Sequence, residues 1–298
     1  MDIEEYRKSL EAEAEREGVG AGSVSDSEID ATVALAGDSS KPVDERVAAL
    51  RSLGGPARTR KPLLDLLFRI LKDRQQPAVL RRAALVTLLL LRFNSPLLIE
   101  SNAELVNTLR SAIDDPDDDV RMGVLEALAQ RKDDVAQKRL VDSLTGKGPV
   151  LLPPQKAIQL LGYDIHSNHY PMLRGMVERS NDDEVKREAV RVLASDPDSE
   201  DLLRKIFRDK TTTGSVRRAS ARALISLAPH QFVKDATNVV LDATDDDQVR
   251  AAALTALTHL DNVDGSALAA AVDKVEGSAK SEPLRNAVAN FRTKQRAK

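Results

Sequence analysis

Arg187, Arg191, Arg218 and Arg222 form two pairs of spacing four, which in a helix places each pair one turn apart on a single face. A guanidinium presents a planar fork of donors that grips a carboxylate or a phosphate with two bonds, so four together are a candidate anion-binding floor. Between Lys186 and Arg222 ten basic residues face six acidic ones, whereas the whole chain carries 44 basic and 47 acidic residues and a net charge of −3. The excess is local. The plain alternative is a solvated charged face neutralised by Glu188, Asp196 and Asp209.

The remaining chemistry-bearing residues are sparse. Zero Cys excludes disulfides, thiolate metal sites and a cysteine nucleophile together. The four histidines are His166, His169, His230 and His259. His166-x-x-His169 has a two-ligand spacing but no third ligand beside it, so no metal is expected. Asp115-Pro116-Asp117-Asp118-Asp119 with Glu126 approaches a calcium-loop spacing, yet Val120 stands where that loop needs Gly. The aspartates read instead as helix N-caps. Gly146-Lys147-Gly148 and Gly18-x-Gly20-x-Gly22 lack the context of a phosphate loop and read as linkers. No nucleophile setting or triad is visible, so neither a catalytic residue nor a cofactor is predicted.

The elements that would carry the arginines follow from a repeat. A pattern of hydrophobic residue, Arg, two variable residues, small and aliphatic residues, and Leu recurs at Arg46, Arg81, Arg121, Lys186, Arg217, Arg250 and Arg285. An eroded copy has Pro154 in the basic slot. The steps are 35, 40, 33, 32, 31, 33 and 35 residues. A fixed period of this length predicts helical units that cannot bury their apolar faces alone and must stack on neighbours. Aromatics at 3% and the absence of Trp suit thin helical layers with small residues at close contacts. Expected first helices include Pro62 to Leu71, Ala103 to Ile113, Leu202 to Phe207 and Phe232 to Leu241. Second helices should start after acidic turns such as 114–119, 181–184 and 245–247.

Counted from the repeated basic residue, offsets +3, +4 and +7 are apolar or small and form the expected core stripe. Offsets +2 and +6 are mostly small, as for close approach of the next layer. Offsets +1 and +5 remain as the groove-facing pair. They place Arg51, Arg82, Arg187, Arg191, Arg218 and Arg222 toward a groove. Residues 1–24 read as a charged N-terminal helix and a Gly-rich joint, and residues 25–298 as one repeat domain. Ser25 with Glu28 predicts a capping box where that domain begins.

Asp118-Asp119-Val120-Arg121 and Gln248-Val249-Arg250-Ala251-Ala252-Ala253-Leu254 resemble HEAT repeats, in particular the short HEAT-like units of bacterial proteins and bilin-lyase relatives. The resemblance covers roughly residues 27–295 and implies an all-α, right-handed solenoid of eight helix pairs with an added N-terminal helix. It also implies that Arg46, Arg81, Arg121, Lys186, Arg217 and Arg250 form a structural ladder, each pairing with turn aspartates of neighbouring units.

The expected function is a non-enzymatic interaction scaffold whose concave surface holds a protein partner with an acidic surface or segment. Nucleic-acid binding through the basic groove is the first alternative. It is disfavoured because stacking aromatics are missing from the groove positions. A bilin-lyase-like chaperone or enzyme subunit is the second. Residues 1–5 lack a basic start, and Leu85 to Leu91 is the longest apolar run, so no membrane association is expected and the protein reads as cytoplasmic. The sequence leaves the oligomeric state open, with a monomer favoured.

Overall fold

The computed structural model describes residues 25–296 apart from 92–94, 167, 261–264, 278 and 280; the expected N-terminal helix lies outside them. Every element among the described residues is helical. The chain divides into two compact units, Met1–Leu152 and Pro153–Lys298. The division falls inside the eroded repeat, beside Pro154.

The first unit contains α1 (Asp26–Gly37), α2 (Val43–Ser52), α3 (Lys61–Lys72), α4 (Ala78–Leu91), the short α5 (Pro96–Glu100), α6 (Asn102–Ser111), α7 (Asp118–Ala129) and α8 (Asp134–Leu144). The second contains α9 (Pro154–Leu161), α10 (Tyr170–Arg179), α11 (Asp183–Leu193), α12 (Glu200–Arg208), α13 (Gly214–Leu227), α14 (Pro229–Leu241), α15 (Asp247–His259), α16 (Gly265–Glu276) and α17 (Glu282–Arg296). Within each unit successive helices pair, and like stacks on like. Second helices α2, α4 and α7 pack in sequence, as do α9, α11, α13, α15 and α17, while first helices such as α12, α14 and α16 form a parallel layer. The helix α5, which the repeat pattern does not predict, fills the long 40-residue step between Arg81 and Arg121.

The core stripe follows the helical period. At offset +4, Leu50, Leu85, Leu125, Val190, Ala221 and Leu254 are buried, and at +7 so are Leu53, Leu88, Leu128, Leu193, Leu224 and Leu257. Each such Leu contributes on the order of 2 kcal/mol by leaving water, and only stacking provides the cover. Phe207 and Phe232 meet between α12 and α14 with ring centroids 5.5 Å apart.

Helix starts are set by the acidic turns. Asp117 accepts from the Val120 amide at 3.0 Å, Asp182 from Glu184 and Val185, and Asp246 from Gln248 and Val249. Ser25 and Glu28 form the reciprocal capping box that opens α1. Gly146, at φ +72°, ends α8 in the left-handed conformation that glycine adopts without strain. None of the described helices is long and apolar enough to cross a membrane.

Candidate functional site

The repeated basic residue sits in the first turns of each second helix, where it can reach both the end of the preceding helix and the turn of the next repeat. Arg46, Arg217 and Arg250 donate through Nε to the carbonyls of Ala36, Phe207 and Val240 at 3.1, 2.9 and 3.1 Å. Each acceptor is the penultimate residue of the preceding first helix, one of the carbonyls that a helix end leaves unbonded. The turns between them run over 38–42, 209–213 and 242–246, so equal length fixes a common geometry.

The same guanidiniums tie adjacent repeats together. Arg217 also grips Asp245 through both Nη atoms, and Arg81 grips Asp115 through Nε and Nη2 at 2.9 and 2.7 Å. All four side chains are almost wholly buried. Burial pushes the Asp245 carboxyl up, but the bonds from Arg217 and from the Asp246 amide outweigh it and hold the pKa below the ordinary value. Arg46 reaches Gln76 instead, at 2.7 Å, and Arg121 bonds the Asp115 and Leu151 carbonyls. Arg250 pairs with Asp247 of its own helix, and its buried Nη2 has no partner among the described residues. The Lys186 ammonium makes no hydrogen bond or ion pair among the described residues; its repeat has the shorter turn 180–182, and an ammonium has no fork to span two acceptors.

Arg187, Arg191, Arg218 and Arg222 come together. With Glu188, Ala194, Ser215, Ala219 and Ala223 they line an open cleft of about 430 Å³ between α11 and α13, wholly inside the second unit. Arg187 is held by Glu184 of its own helix, and Arg191 by Glu188 with its Nε donating at 2.6 Å. Arg218 and Arg222 make no hydrogen bond or ion pair among the described residues. The one carboxylate in the turn before α13, Asp209, is taken by Thr211 and Thr212, and Thr213 makes no side-chain cap there.

The other two predicted groove arginines lie in the first unit and are engaged. Arg82 pairs with Asp119 and lies 3.6 Å from Asp117; Arg51 also has a partner. Their companions Val86 and Val47 are buried, so offsets +1 and +5 do not face solvent in every repeat. Of the expected neutralising residues only Glu188 lies at the cluster. Asp196 is bonded to Arg174 and Ser199, and Asp209 to Thr211 and Thr212. Glu184 was not anticipated as a partner, although its spacing of three from Arg187 is a helical pair. Offset +2 also lines the cleft, through Glu188 and Ala219, rather than serving close packing alone.

Residues 170–258, from α10 into α15, match the family model of HEAT repeats. This stretch is a run of HEAT repeats. The arginine cleft therefore lies between the second helices of two adjacent HEAT repeats, with the Arg217 rung beneath it. Among solved structures the chain is similar to one from the complex of CpcE and CpcF of phycocyanin lyase from Nostoc sp. PCC7120. The match has 18% identity and a TM-score of 0.38, covering 86% of this chain and 97% of that one. A comparison with curated proteins finds no match.

At the start of the HEAT segment His169 is buried beside the Tyr170 ring, while His166 is exposed. Burial lowers the His169 pKa, against the opposing pull of Asp164. No group of three or more His, Asp or Glu side chains among the described residues is arranged to hold a metal ion.

Proposed function

We propose that the protein is a non-enzymatic interaction module and that the cleft between α11 and α13 receives an acidic segment of a partner protein. The observation that carries this reading is the pair Arg218 and Arg222, two guanidiniums on one open face with no ion pair among the described residues. Forked donors without an acceptor favour an incoming carboxylate. The small floor of Ala194, Ala219 and Ala223 gives a ligand backbone room to approach. HEAT repeats in the same segment support a scaffold role, because their stacked layers present one rigid surface.

A nucleic-acid backbone is the poorer occupant. The cationic face spans two layers only: Gln155 and Gln159 on α9, and Ala251 and Thr255 on α15, hold the corresponding positions without charge. Affinity for a polyanion grows with the number of phosphates neutralised.

The test is affinity capture with the wild-type chain and with a variant carrying Arg187→Ser, Arg191→Ser, Arg218→Ser and Arg222→Ser, both verified as folded by circular dichroism. A protein retained by the wild type and lost by the variant supports the reading. Equal recovery removes the cleft from it.

A further inference from the structure

Within the cleft the four arginines are not equivalent. Arg187 and Arg191 are half exposed but already held by Glu184 and Glu188, so a ligand must compete for them. Arg218 and Arg222 have no partner among the described residues and stand four residues apart on α13, about 6 Å along the axis at 1.5 Å per residue. Alternate residues of an extended peptide are spaced about 6.6 Å and point the same way. One turn of a ligand helix matches the same spacing at about 5.4 Å but is about 10 Å across. An extended segment reaches both arginines in less space.

Glu188 adds a restriction. Its side chain is the more buried partner of its pair, 20% exposed against 54% for Arg191, and it lies in the cleft wall opposite the free arginines. A carboxylate there repels any further negative charge along the ligand and keeps Arg191 occupied.

Resting on the reading of the cleft as an acid-binding surface, we infer that its occupant is a short extended peptide with carboxylates on alternate residues, anchored by Arg218 and Arg222. Glu188 is then the residue that confines the site to so short an acidic ligand. A long polyanion gains two contacts and meets one repulsion, so its extra charges bring no advantage.

Chemical-shift titration of the full chain, followed on the amides of α11 and α13, tests this with three probes. The first is an eight-residue Gly/Ser peptide with two carboxylates on alternate residues, the second the same peptide with adjacent carboxylates, and the third a twenty-nucleotide oligothymidylate. The alternate peptide should bind best. Arg218→Ser and Arg222→Ser should each weaken it by about fivefold, while Arg187→Ser changes it by less than about twofold. Glu188→Gln, which also frees Arg191, should strengthen the oligonucleotide more than the peptide.

Equal binding of the two peptides, an unchanged peptide-to-oligonucleotide ratio in Glu188→Gln, or equal losses for Arg187→Ser and Arg218→Ser each overturns the inference. So does a wild type that binds neither peptide. In every such case the affinity capture still decides the functional reading separately, because it asks only whether a partner depends on the four arginines.

Discussion

Arg217 and Arg218 are consecutive residues of α13 with opposite surroundings. Arg217 is 2% exposed and bonded to the Phe207 carbonyl and to Asp245 of the next repeat, whereas Arg218 lies on the cleft wall with no partner among the described residues. A helix turns about 100° per residue, so neighbours face different media and the same side chain serves packing in one place and recognition in the next.

Arg217→Met should destabilise the second unit by about 3–5 kcal/mol, because it leaves Asp245 buried without a counter-charge. Adding Asp245→Asn should recover part of that loss. Urea denaturation of the two variants checks both statements, and a single variant as stable as the wild type would refute the ladder role.

Arg218→Ser and Arg222→Ser should change unfolding free energy by less than about 0.5 kcal/mol each, since neither side chain carries a bond among the described residues. The same urea series measures this. A large loss in either would mean that the cleft arginines hold the fold together.

Ser220 occupies the +3 core position held elsewhere by Ala49, Ala84, Ala189 and Ala253, and its buried hydroxyl has no partner among the described residues. Ser220→Ala should therefore raise stability by about 1 kcal/mol. A drop in melting temperature would show that the hydroxyl is satisfied in solution.

Gly162→Ala should cost about 1–2 kcal/mol, because the new Cβ would lie 2.9 Å from Val192 Cγ2 and 3.2 Å from the Gln159 carbonyl. It would also touch Arg191 Nη2. Thermal unfolding reads the first effect, and a shifted Arg191 side-chain resonance the second.

Stability should fall as the solution is acidified from about pH 7 to about pH 5, in part through His169. Its folded pKa is lowered from 6.5 by burial, so the unfolded chain takes the proton first. The contribution is fully present above the unfolded value and is lost as pH falls through the folded one. Carboxylates with lowered pKa values, such as Asp209 and Asp245, add their losses only in more acid solution. His169→Gln should flatten the profile between pH 7 and pH 5, and an identical slope in both proteins would discard the assignment.

Helix identity, the core stripe at +3, +4 and +7, and the acidic N-caps were legible in the sequence because each depends on residues within a turn or two of one another. Asp117, Asp182 and Asp246 cap the helices beside them, and the spacing of Arg187, Arg191, Arg218 and Arg222 already marked a shared face. Pairing between repeats was not legible. Composition could not show that Asp196 is taken by Arg174, that Arg82 is claimed by Asp119, or that the Lys186 ammonium reaches no acceptor among the described residues. These outcomes depend on turn length and on which side chains thirty residues away arrive at the same place. Only the stacked tertiary structure brings α11 against α13 and leaves Arg218 and Arg222 without a partner among the described residues. The reason is physical: a charge is available for binding only after every nearer opposite charge has found its own partner, and that competition is settled in three dimensions.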